Sequence, residues 1–78
     1  MNLYNRLNEI ENEYSLNKEL RLKVICMDGD EVEGFYDGYT DALNNEPEIT
    51  QLELRRNANY PGIVCILETN IRSIKVLK

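Results

Sequence analysis

The hydrophobic residues follow two different periods along the chain. Near the start they recur every three or four positions, at Leu3, Leu7, Ile10 and Tyr14. That spacing aligns them on one face of a helix, for which Asn2 is a suitable N-cap and Asn17 a possible end. The pattern predicts an amphipathic helix over residues 1–16. Its apolar face packs either on the rest of the chain or, as the alternative, on a partner.

After residue 19 apolar and polar residues alternate, which is typical of β-strands. Five such segments, separated by turn-forming residues, begin near Leu20, Glu31, Ile49, Ile63 and Ile71. The fourth, Ile63–Leu67, is a nearly continuous apolar run, so we expect it to be covered on both faces. The pattern predicts a single domain, residues 1–78, with a helix at 1–16 and five antiparallel strands within 20–77.

Two glycines interrupt the second strand. Gly34 and Gly38 lie four residues apart and would share one face of a regular strand with Val32 and Tyr36. A glycine inside a strand usually marks a bulge, a tight corner or the close approach of another backbone. We therefore expect a strongly bent sheet that closes over a small core, in an α+β fold made mostly of β-structure.

The composition argues against catalysis. The chain has no histidine and two cysteines, Cys26 and Cys65, so it lacks the usual general base and the four ligands of a structural zinc site. Each cysteine lies within an apolar run, which favours two buried free thiols over a disulfide. The acidic residues after Met27 do not have the spacing of a calcium-binding loop. We predict a protein that is not an enzyme and that binds no metal or cofactor.

Charge is distributed unevenly along the chain. The formal net charge is −5, and residues 28–53 hold nine acidic residues and no basic one. Residues 54–78, in contrast, hold five basic residues and one acid. The net negative charge repels phosphate backbones, which disfavours RNA as a partner. The opposite charges of the two stretches favour contact between copies of the chain.

The sequence carries no pattern for targeting or membrane insertion. Polar residues interrupt the apolar run at the start of the chain, unlike the core of a signal peptide. No stretch reaches the roughly 20 apolar residues that span a membrane. We therefore expect a cytoplasmic protein that does not enter a membrane.

The order of a helix and five bent strands resembles the Sm-like family of SH3-like small β-barrels. The first Sm motif combines glycines, hydrophobic residues, an aromatic residue and a later asparagine at fixed spacing. This chain matches that motif at Gly29, Val32, Gly34, Tyr36, Gly38, Tyr39 and Asn44. The resemblance covers most of the chain and implies a five-stranded, strongly bent Sm-like barrel.

The resemblance also implies where RNA would bind. This chain keeps Asn44, but Thr40 stands where an acidic residue is expected, and Asp41 follows one position later. Ala42 stands where an aromatic residue often stacks on a base, and the second motif lacks its arginine, for which Arg72 is a substitute. The candidate RNA-binding residues are therefore Asp41, Asn44 and Arg72.

Assembly is a further implication of the resemblance, because Sm-like barrels pair the fourth strand of one copy with the fifth strand of the next. The uncharged segment Ile63–Leu67 is a candidate for such an exposed edge. We favour a self-assembling or protein-interaction module as the function. The alternative is an Sm-like RNA-binding protein, as a ring or otherwise, with a degenerate RNA site.

A second candidate site lies on the second strand. In a regular strand, Phe35, Asp37 and Tyr39 would share the face opposite the core. Aromatic residues flanked by acids can form a groove for a basic or proline-rich peptide. The alternative is that the helix or another copy of the chain covers both aromatic side chains.

Overall fold

A computed structural model describes residues 2–44, 48–56 and 62–77 of the chain. One helix, α1 (Leu3–Glu13), precedes five strands. The strands are β1 (Arg21–Cys26), β2 (Glu31–Thr40), β3 (Gln51–Arg55), β4 (Ile63–Leu67) and β5 (Ile71–Leu77). Single 3-10 turns follow β2 at Ala42–Asn44 and join β4 to β5 at Glu68–Asn70. The turn-forming residues at 57–61 lie outside the described residues.

The helix forms where the hydrophobic spacing predicts it. Asn2 caps it, since its side-chain oxygen accepts a hydrogen bond of 3.1 Å from the backbone N–H of Asn5. The buried residues of its inner face are Leu3, Leu7 and Ile10. The helix ends at Glu13, so the predicted end at Asn17 is wrong. The side chain of Asn17 instead accepts the N–H of Glu19 and stabilises a turn.

The strands form one five-stranded antiparallel sheet in the order β4-β3-β2-β1-β5. This arrangement confirms the predicted combination of one helix and five antiparallel strands. β4 and β5 lie at the two edges of the sheet. Among the described residues no hydrogen-bonded pairing joins these two strands, so the sheet is open, in contrast to the predicted closure into a barrel.

The two glycines of β2 meet different requirements. A bulge lies between Tyr36 and Gly38, so Asp37 is skipped in the backbone register of β2 with β3. Gly38 has a φ of +137°, which glycine adopts without strain. At Gly34, a Cβ atom would lie 2.7 Å from the carbonyl oxygen of Arg55. A bulge and a close backbone approach, two of the predicted reasons for glycine, are therefore both present.

The core lies between α1 and one face of the sheet. Its strand residues are Leu22, Val24, Leu52, Leu54, Ile66, Ile71 and Ile74. Two hydrogen-bonded contacts add to the apolar packing of the helix. The N–H of Leu3 donates to Glu68 Oε2 at 2.6 Å, and the guanidinium of Arg6 donates to the carbonyl oxygen of Ile74. The position of α1 on the sheet is thus set by both apolar and polar contacts.

The two cysteines are free, but they differ in environment. Cys26 is half-buried against the core, whereas Cys65 is exposed, so the predicted burial is wrong for Cys65. The reason is that Cys65 lies on the outer face of an edge strand, opposite Glu53 of β3. Ile63 on the same face is 51% exposed. β4 is therefore covered on its inner face and not on both faces as predicted.

Candidate functional site

Ion pairs surround Phe35 on the outer face of the sheet. The guanidinium carbons of Arg21 and Arg55 lie 6.0 and 5.8 Å from the centroid of its ring. Arg55 Nε donates to Asp37 Oδ1 at 2.9 Å, and both of these side chains are 15% exposed. Lys18 Nζ lies 4.0 Å from the same carboxylate oxygen. Asp37 is therefore already engaged by cations of its own chain.

Tyr39 does not join Phe35 and Asp37, so its predicted placement is wrong. The bulge at Asp37 shifts the alternation by one residue, and Tyr39 pairs with the core-facing Leu52. Its ring packs edge to face on Tyr4 of α1, with centroids 5.3 Å apart. The helix thus partly covers Tyr39 and leaves it 40% exposed. The positive φ of Gly38 is the local feature that accompanies this bulge.

Asp41 and Asn44 come together in a groove of about 270 Å³ at the end of β2. Tyr4, Ala42, Leu43 and Thr50 complete its lining. Asp41 Oδ1 is buried and has no hydrogen-bond partner among the described residues. Tyr4 brings an aromatic residue to the groove from the helix, a contribution that the motif in β2 does not predict.

Arg72 lies apart from this groove. It is exposed at the start of β5, with Nη2 3.5 Å from the carbonyl oxygen of Met27. The described residues that line the groove include one acid, Asp41, and no base. The structure therefore brings two of the three predicted RNA-binding residues together, with no cation beside them among the described residues.

The open edge of β4 presents backbone groups to solvent. The carbonyl of Thr50 accepts the N–H of Glu68 at 2.8 Å, so alternate residues of β3, counted from Thr50, face β4. In an antiparallel pair this alternation makes Val64 and Ile66 the residues bonded to β3. Three residues direct their N–H and C=O groups away from the sheet: Ile63, Cys65 and Leu67.

The pKa shifts among the described residues follow from burial and ion pairing. Burial, followed by the nearby carboxylates of Asp28 and Asp30, raises the pKa of the Cys26 thiol. A hydrogen bond of 2.7 Å between Lys23 and Glu31 raises the pKa of the lysine and lowers that of the glutamate. These shifts oppose thiolate formation at Cys26 and accompany a surface ion pair between Lys23 and Glu31.

Comparisons with protein-family models, curated proteins and solved structures find no match to this chain. In the described part of the chain, no group of three or more Cys, Asp or Glu side chains is placed to hold a metal ion. No helix within the same residues is long and apolar enough to cross a membrane.

Proposed function

We propose that this chain is a small Sm-like domain with an open sheet, which acts, without catalysis, as a self-assembling or protein-interaction module. The observation that carries the proposal is the edge of β4, where Ile63, Cys65 and Leu67 direct their backbone groups outward and no residue is charged. Soluble proteins usually protect an exposed edge strand with charge, proline or a covering element. An unprotected apolar edge is suited to pairing with another strand.

The energy of such pairing is modest. An antiparallel partner aligned on three outward-facing residues would form about six backbone hydrogen bonds, each worth a net 0.5–1.5 kcal/mol or so. Association itself costs roughly 4–15 kcal/mol in lost freedom of motion. Burial of the exposed side chain of Ile63 and its neighbours has to supply the remainder. We therefore expect self-association that depends strongly on protein concentration.

The test is the solution mass of the chain across a range of concentrations, by size exclusion with light scattering. Cys65→Lys places a charge in the middle of the open edge and should shift the protein to monomer. Asn8→Lys adds the same charge at an exposed position on α1 and should leave the mass unchanged. A wild-type chain that is monomeric at every concentration and binds no protein partner would contradict the proposal.

RNA binding is the second candidate, and one observation favours it. Tyr4 lies beside Asp41 and Asn44 in the groove, where its ring is able to stack on a base. The described lining of the groove has no base, so stacking on Tyr4 has to supply the affinity. Binding of a mixed-sequence single-stranded RNA should therefore drop in Tyr4→Ala and should not fall steeply with salt. Binding that falls steeply with salt, or that is unchanged in Tyr4→Ala, would argue against this candidate.

A further inference from the structure

We infer that two copies of this chain pair β4 to β4 about Cys65, because Arg6 of α1 closes the other edge of the sheet, at β5. This inference rests on the proposed function, since it specifies which edge assembles and with what partner. It follows from the backbone directions of the two edge strands and from the position of one guanidinium group.

The hydrogen bonds of β1 show which backbone groups of β5 lie on the outer edge of the sheet. The N–H of Cys26 donates to Asp30 on the β2 side at 2.7 Å, and the N–H of Met27 donates to Asn70 on the β5 side at 2.8 Å. Backbone groups along β1 therefore alternate between its two neighbours, and those of Lys23 face β5. After the register shift between Ile25 and Cys26, the residues of β5 that direct their N–H and C=O groups away from β1 are then Ile74 and Val76.

Arg6 occupies this edge. Its Nε and Nη2 atoms donate to the carbonyl oxygen of Ile74 at 3.1 and 2.6 Å. The guanidinium stands where the N–H of an incoming strand would have to donate, and Lys75 adds an exposed charge on the same strand. A second strand cannot pair with β5 at Ile74 until Arg6 leaves.

In contrast, no described side chain is hydrogen-bonded to the outward backbone groups of β4. The apolar residues of β4 are also complementary to those of a second, antiparallel β4. In an antiparallel pair centred on Cys65, each copy's Ile63 lies opposite the second copy's Leu67. The outward-facing residues of β4 all carry their side chains on the outer face, because their partners on β3 are Gln51, Glu53 and Arg55. The pair would therefore join two apolar stripes into one, with no like charges opposed.

The outward-facing residues of β5 carry their side chains on the core face, so pairing of β4 with β5 would not continue that stripe.

Chemical crosslinking tests the pairing. In a Cys26→Ser variant Cys65 is the single thiol, and paired residues of this kind have Cα atoms about 5.5 Å apart. A short bis-maleimide should then convert most of the associated protein to a covalent dimer, and urea should abolish the reaction. Association detected by light scattering without a crosslinked dimer would overturn the inference.

Removing the guanidinium of Arg6 tests whether it blocks the β5 edge. Arg6→Met keeps an unbranched stem but no donor, so the β5 edge should open and the mean mass should at least double relative to wild type at equal concentration. Glu9→Gln is the matched control, since it removes the 3.4 Å ion pair with Arg6 and leaves the bonds to Ile74. A folded Arg6→Met variant with the mass of wild type would overturn the inference.

The outcomes separate this inference from the function on which it rests. A chain that stays monomeric at every concentration and binds no protein partner fails the proposed function itself. A monomeric chain that binds a protein partner fails only the pairing inferred here. A chain that associates and responds to Cys65→Lys, but gives no crosslinked dimer, fails only the pairing inferred here. The crosslinking result holds whether or not Arg6→Met folds.

Discussion

Replacement of Gly34 by alanine tests whether the close approach of β2 to β3 requires a residue without a side chain. A Cβ atom at Gly34 would lie 2.7 Å from the carbonyl oxygen of Arg55 and 3.1 Å from the Cβ atom of Leu54. Cβ atoms essentially never approach another heavy atom within 3.0 Å, and the nearer contact here is to backbone, which cannot rotate away. β3 must therefore move relative to β2, and the bonded pair of Phe35 with Arg55 must stretch.

The magnitude follows from the cost of overpacking. Forced insertion of one methyl group into a packed site costs about 1–3 kcal/mol. A chain of this length has a free energy of unfolding of about 4–12 kcal/mol in total. A loss of roughly 2 kcal/mol would lower the Tm by about 8–16 °C. The variant should therefore remain folded at room temperature with a clearly lower Tm.

Thermal and urea unfolding followed by circular dichroism measure this loss, and Gly29 is the matched control. Gly29 has a φ of +94°, and a Cβ atom added there would have no other atom within 4 Å, so alanine costs backbone strain alone. Asparagine tolerates positive φ better than alanine, so it should be the milder substitution at Gly29 and the harsher one at Gly34. A Gly34→Ala protein within about 0.5 kcal/mol of wild type would refute the steric argument.

Leu52 is fully buried, so Leu52→Ala should lower the free energy of unfolding in urea by about 2–5 kcal/mol; a smaller loss would contradict its place in the core. The pKa of Glu31 is lowered chiefly by its hydrogen bond with Lys23, so this stabilisation is present above the ordinary glutamate pKa and is lost as pH falls through the lowered value. The stability difference between wild type and Glu31→Gln should accordingly shrink below about pH 4, and a constant difference would be evidence against the pair. Maleimide at neutral pH should label the exposed Cys65 before Cys26, whose pKa is raised by burial; peptide mass spectrometry showing the reverse order would contradict the assigned environments.

The elements that depend on periodicity could be predicted from the sequence. The buried residues of α1 have helical spacing, and the five strands form where apolar and polar residues alternate or an apolar run occurs. Glycines within a strand predict a bulge, a corner or a close approach, and Gly38 and Gly34 accompany a bulge and a close approach. In each case the information is local, because it lies within one strand or one helix face.

The composition of the candidate sites depends on contacts that periodicity does not contain. One extra residue at Asp37 moves Tyr39 to the inner side of the sheet, and counting alternate positions cannot reveal where such a residue is inserted. The meeting of Tyr4 with Asp41 joins residues far apart in the chain, and so does the contact of Arg6 with Ile74. Such contacts depend on how α1 is placed on the sheet, which the pattern of either element alone does not define.

The placement of α1 also determines how the β5 edge can open. Moving the whole helix would expose the core of a domain that buries only about 60–65% of its unfolded surface, which leaves little stability to spare. It would also break the 2.6 Å hydrogen bond from the N–H of Leu3 to Glu68. Releasing the Arg6 side chain alone breaks hydrogen bonds from a charged group, worth roughly 1.5–3 kcal/mol each, and leaves the apolar face of α1 in place. Since Arg6 is partly exposed, water compensates for part of that loss. Side-chain release is therefore the less costly route, and the guanidinium of Arg6, more than the helix that carries it, limits access to β5.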